Sequence, residues 1–134
     1  MASLNSTTAT PPASRLATRM GAALLGMSAL HFAAPTPFDS IVPAELPGTA
    51  RFYTYASGVA EGTVGALLLA RRTRRWGALA AIGLFVAVYP ANINSVRVFW
   101  NKGVTARIAT IARLPLQIPM VLAAYKIYRS TGSR

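Results

Sequence analysis

The stretch WGALAAIGLFVAVYPANINSV, residues 76–96, runs for twenty-one positions without a charged side chain. As a helix rising ~1.5 Å per residue, it is long enough to cross the ~30 Å hydrocarbon core of a bilayer. Working outward, Met20–Phe38 is equally free of charge, Phe52–Ala70 carries only Glu61, and Ile108–Tyr125 carries only Arg113. The pattern predicts an all-α integral membrane protein, a four-helix bundle of four spans with both termini cytoplasmic. Much of the apolar content is Ala and Gly, which favours helices packed on one another over helices ringed individually by lipid.

Composition agrees with this class. Of the 134 residues, 53% are hydrophobic and 13% charged, and the net charge is +11. A soluble chain this basic would point to nucleic acid. Here the basic residues lie between apolar runs, so no nucleic-acid partner is expected and the lipid bilayer is the first partner. There is no cysteine, which excludes disulfides, thiolate catalysis and Cys-ligated metal or iron–sulfur sites within the chain.

The basic residues also orient the spans. Arg15, Arg19, Arg71, Arg72, Arg74, Arg75, Lys126, Arg129 and Arg134 fall on one side; Arg51, Arg97, Lys102 and Arg107 fall on the other, with Asp39 and Glu45. Nine against four, with RRTRR packed into the second loop, puts residues 1–14, 71–75 and 130–134 in the cytoplasm of a multi-pass cell-membrane protein. The expected organisation is a disordered tail over residues 1–14, a membrane domain over 15–129 and a short tail over 130–134. Met20–Phe38 is read as an uncleaved span: no A-x-A site follows it, and Pro35 comes directly after Ala33-Ala34. The following loop, with Pro35, Pro37, Pro43 and Pro47 among apolar residues, suits a broken turn at the membrane surface.

Ionisable groups inside a bilayer are costly and need a partner or a task. Glu61 falls ~16 Å and Arg113 ~9 Å below the same surface, with Gln117 one turn beyond Arg113. A Glu61–Arg113 pair is expected, with Gln117 beside it, Ser57 one turn above Glu61, Asn92 and Asn94 from the third span, and His31 from the first. This cluster is either glue that sets the helix register or a site for a ligand or proton. A lone His31 without a second His or any Cys gives no metal site. Pro90, Pro115 and Pro119 each free a carbonyl one turn earlier and are expected to kink their helices. Gly58, Gly62 and Gly65 make a smooth stripe suited to a close helix contact inside the bundle.

Several segments together resemble DoxX-like four-helix membrane proteins. They are His31-Phe32 with Pro35, Ile41-Val42-Pro43 with Leu46-Pro47, Ser57-Gly58 with Glu61, Thr73-Arg74-Arg75, Tyr89-Pro90-Ala91-Asn92-Ile93, and Arg113-Leu114-Pro115-Leu116-Gln117. The similarity runs from about residue 16 to 129, and the Ala- and Arg-rich composition looks bacterial. The resemblance implies the fold first. In function the family is mixed, including a quinone-reducing membrane subunit, proteins that assemble with redox partners, and chaperones of receptor assembly. Three readings follow. The first is an assembly or accessory subunit with a protein partner in a membrane complex, needing no cofactor in this chain. The second is a membrane subunit of a quinone-linked oxidoreductase, with quinone as the cofactor. The third is a small-solute or proton pathway. Whether the chain is an enzyme stays open.

Overall fold

The computed structural model describes residues 11–132, and every regular element among them is helical. The elements are α1 (Pro12–Ala33), α2 (Thr36–Asp39), α3 (Ala50–Leu69), α4 (Arg74–Ala87), α5 (Tyr89–Phe99) and α6 (Val104–Thr131). Their ends follow local chemistry. Pro12 opens α1, where a missing N–H costs nothing, and Pro35 stops it two residues after Ala33. The Thr49 hydroxyl accepts a hydrogen bond from the Phe52 N–H at 3.3 Å and caps α3. Gly103, with φ of 109°, makes the turn into α6.

Several boundaries differ from the sequence reading. Pro12–Ser14 are the first turn of α1 rather than tail; the rest of the expected tail, residues 1–10, lies outside the described residues. At the other end Ser130 and Thr131 complete α6, and residues 133–134 lie outside the described residues. The apolar run 76–96 is broken at Val88, because Pro90 cannot donate to the carbonyl of Val86. Pro115 and Pro119, by contrast, lie within α6, which continues through both.

Two helical stretches among the described residues are long and apolar enough to cross a membrane: Arg74–Phe99, through the break, and Val104–Thr131. Only 33% and 17% of their most apolar windows are buried. Most of their apolar surface is therefore left uncovered by the rest of the protein. α1 and α3 are less apolar, carrying Arg15, Arg19 and His31 in the one and Arg51 and Glu61 in the other, and the Gly, Ser and Thr residues between them have a structural use.

α3 packs along α1 and also on α4; α4 packs on α6, and α6 returns to α1. The α1–α3 seam is the most extensive contact. It is built from the small residues: a Cβ on Gly65 would lie 2.8 Å from the Gly21 carbonyl oxygen, and one on Gly21 2.9 Å from the Gly65 oxygen. Two backbones touch there, and no other residue fits. The glycine stripe thus packs inside the fold, as expected from sequence. The interior elsewhere is mostly small as well, with Ala17, Ala78, Ala81 and Ala124 buried beside Leu24, Val64, Leu68, Phe85 and Ile127. The large apolar side chains face outward: Phe52, Val59, Trp76, Val86, Ile108, Ile118 and Leu122 are each at least 60% exposed.

Candidate functional site

The polar residues between the helices form two groups, not one. In the first, α1 and α3 bring together His31, Ser57 and Glu61. His31 and Glu61 are buried, and the Ser57 hydroxyl lies 3.4 Å from Glu61 Oε1. His31 Nδ1 lies 2.8 Å from the Met27 carbonyl and 3.4 Å from Glu61 Oε2. A carbonyl only accepts, so Nδ1 carries a proton and donates it to Met27, which leaves Glu61 Oε2 without a hydrogen-bond partner. The ring of Phe38, from α2, stacks on His31 at 3.8 Å. The imidazole is thus clamped between its own helix and the loop that follows.

The second group lies where α4 breaks into α5 and meets α6. Gln117 is buried and donates from Nε2 to the Phe85 carbonyl in the last turn of α4. Carbonyls in a last turn lack intrahelical partners, so this amide satisfies backbone freed near the break. Asn92 Nδ2 donates to Gln117 Oε1 at 3.2 Å, and the Ser95 hydroxyl to the Asn92 carbonyl at 2.6 Å. Arg113 Nη2 reaches Asn92 Oδ1 at 3.4 Å, and the rest of its side chain is exposed. Asn94, expected in the same cluster, instead donates to the Ile41 carbonyl at 3.0 Å and pins the loop after α2.

The expected Glu61–Arg113 ion pair is not formed: Glu61 has His31 as its charged-type contact, and Arg113 has Asn92. The reason is the packing order. α3 and α6 are each flanked by α1 and α4 and make at most a marginal contact with each other. Glu61 turns toward α1. On α6 the buried positions are Thr110, Gln117, Ala124 and Ile127, and Arg113 reaches Asn92 of α5 instead of Glu61.

Two arrangements escaped the sequence reading. Arg74 is buried: its guanidinium donates to the carbonyls of Leu68 at 2.8 Å and Leu69 at 3.2 Å, and to the Ser14 hydroxyl at 2.9 Å. It ties the end of α3 to the start of α1, whereas in sequence it looked like one more loop charge. The available signal was only a basic cluster following a helix C-terminus, where carbonyls lack donors, and nothing in it set Arg74 apart from Arg71, Arg72 and Arg75. At the opposite end Asp39 accepts from the Thr54 hydroxyl at 2.6 Å and from Arg51 Nε at 2.9 Å. The Thr54 hydrogen bond, then Arg51, holds its carboxyl below the usual carboxylate range, and Asp39 in turn raises Arg51.

No group of three or more His, Asp or Glu side chains among the described residues is placed to hold a metal ion. The molecule is thus an all-helical protein with polar groups buried among small residues and a largely apolar exterior. Residues 20–128 match a domain family of unknown function, DUF8561, and the chain belongs to that family. No curated protein and no solved structure matches it.

Proposed function

We propose that this chain is a DoxX-like four-span bundle of the bacterial cell membrane, with both termini cytoplasmic, acting as an assembly or accessory subunit of a membrane complex. Its inverted packing supports embedding in lipid: small and polar residues lie inside, and the largest apolar side chains lie outside. The observation that carries the subunit role is Arg113. It sits about a third of the way along α6, the less buried of the two most apolar stretches, and it stays exposed although one hydrogen bond joins it to Asn92. A charge on the outer face of a span is expensive in lipid and is satisfied when another protein covers it. Arg113→Gln should therefore release a partner that co-purifies in mild detergent and leave the melting temperature nearly unchanged. Partner retention by this variant would sink the subunit role. Orientation is tested separately on a Thr73→Cys variant, whose single thiol should resist an impermeant reagent added outside intact cells.

One observation favours a quinone-linked subunit as a second reading. An open apolar groove of about 430 Å³ runs between the α4–α5 break and α6, lined by Val86, Tyr89, Leu114, Pro115 and Ile118 with Gln117 at its floor. An isoprenoid tail suits such a groove. Gln117, however, spends both ends of its amide on Phe85 and Asn92, so it is a weak headgroup ligand. Quinone retained through purification would favour this reading over the first. A small-solute or proton pathway rests on the unpartnered Glu61 oxygen alone.

A further inference from the structure

A second groove, of about 580 Å³, opens between α5 and α6 toward the α5–α6 turn. One wall is Ile93, Val96 and Arg97 of α5 with Trp100 and Asn101 of the turn that follows it, and Leu114 of α6 stands opposite. Those α5 positions recur at helical spacing and form one face, while Asn92 and Ser95 point into the protein. Along its length this face changes character. Ile93 and Val96 make an aliphatic floor toward the middle of the helix; one to two turns later come a guanidinium, an indole and a carboxamide. Arg97 and Asn101 are exposed, and neither side chain makes a hydrogen bond or ion pair among the described residues. The indole is held in place, since Arg107 Nε donates to the Trp100 carbonyl at 3.0 Å and its guanidinium lies 4.6 Å above the ring. With Arg97, Lys102 and Arg107 all near one helix turn, the mouth is rich in basic residues.

We propose that this groove binds one anionic phospholipid, its phosphate on Arg97 and Asn101 and an acyl chain along Ile93, Val96 and Leu114. The proposal rests on the bilayer reading above. A polar–aromatic mouth over an aliphatic floor matches the head-to-tail order of a lipid. Arg supplies the planar donors that phosphate oxygens accept, and Trp favours the headgroup level.

Trp100 reports the site directly once the other tryptophan is removed in a Trp76→Phe background. In detergent, phosphatidylglycerol with brominated acyl chains should quench Trp100 at a mole fraction about fivefold lower than brominated phosphatidylcholine, the preference one basic contact provides. Arg97→Gln should bring the two lipids together, Arg129→Gln at the far end of the chain should leave the preference intact, and millimolar inorganic phosphate should not displace the lipid. Equal quenching by both lipids, a preference that survives Arg97→Gln, or displacement by inorganic phosphate would each overturn the site. Alkaline extraction of native membranes separates this failure from failure of the bilayer reading. Protein that stays in the pellet yet shows no preference has lost only the site; protein that is released has lost both.

Discussion

Where α1 meets α3, backbone lies on backbone; where α5 meets α6, side chains line an open groove. The first contact is set by Gly21 and Gly65, which leave no space for a Cβ on either side. The second is set by a helix break and by amide hydrogen bonds that reach across it. Small residues make a seam that is close and specific, between helices that expose fewer large apolar side chains than α4 to α6 do. Broken, Leu- and Ile-rich helices make the opposite: a loose contact and most of the apolar exterior. The tight half therefore carries the register of the fold, and the open half holds the grooves on which the proposed partner and lipid would act.

The largest test of this contrast is Gly65→Leu. Its side chain would meet the Gly21 carbonyl, a backbone atom that cannot swing away, so the α1–α3 seam must open. A loss of about 3 kcal/mol or more, or failure to fold, is expected in denaturant titrations. Gly26→Ala, on the same helix pair but with nothing within 4 Å of the new Cβ, should instead be stabilising or neutral. Equal damage from both would mean that close approach does not set the seam.

Arg74→Met comes next. It strips donors from the Leu68 and Leu69 carbonyls and should cost about 3 kcal/mol, whereas Arg72→Met, an exposed neighbour, should cost nothing measurable. Gln117→Leu should cost about 1–3 kcal/mol through the unsatisfied Phe85 carbonyl and leave partner binding unchanged. A binding defect without a stability loss would move Gln117 from scaffold to site.

Glu61 and Arg113 test whether the halves are independent. Because they touch different partners and no direct contact joins them, Glu61→Gln and Arg113→Met should combine more nearly additively than changes at two residues in contact. Glu61→Gln with His31→Leu should not, since those two residues are neighbours. The smallest expected effect is at Asp39. Its lowered carboxyl pKa means that its contribution is present above the ordinary carboxylate range and is lost as pH falls through the folded-state value. Hydrogen-exchange protection of residues 40–49, taken relative to the intrinsic exchange rate at each pH, should fall under acid, and Asp39→Asn should show that lower protection already at neutral pH.

Helical class, the apolar stretches and the glycine seam could be read from the sequence, because each depends on local properties such as hydropathy over one helix length or a missing Cβ. The missing N–H of proline marked Pro90 but did not tell its full break from Pro115 and Pro119, through which α6 continues. The polar residues were also legible as residues that need partners. Which partner each one takes was not. Glu61 and Arg113 looked matched in charge and depth, yet depth along a helix says nothing about which helices are adjacent or which way a side chain turns. Arg74 looked like a solvated loop charge because its acceptors are backbone carbonyls, which leave no mark in side-chain pattern. The sequence by itself determined where helices form and which surfaces must avoid water. The tertiary structure decided the pairing of His31 with Glu61, of Gln117 with Phe85 and of Arg74 with the end of α3. Those contacts depend on the order in which the helices pack, a property of the whole chain that no single segment contains.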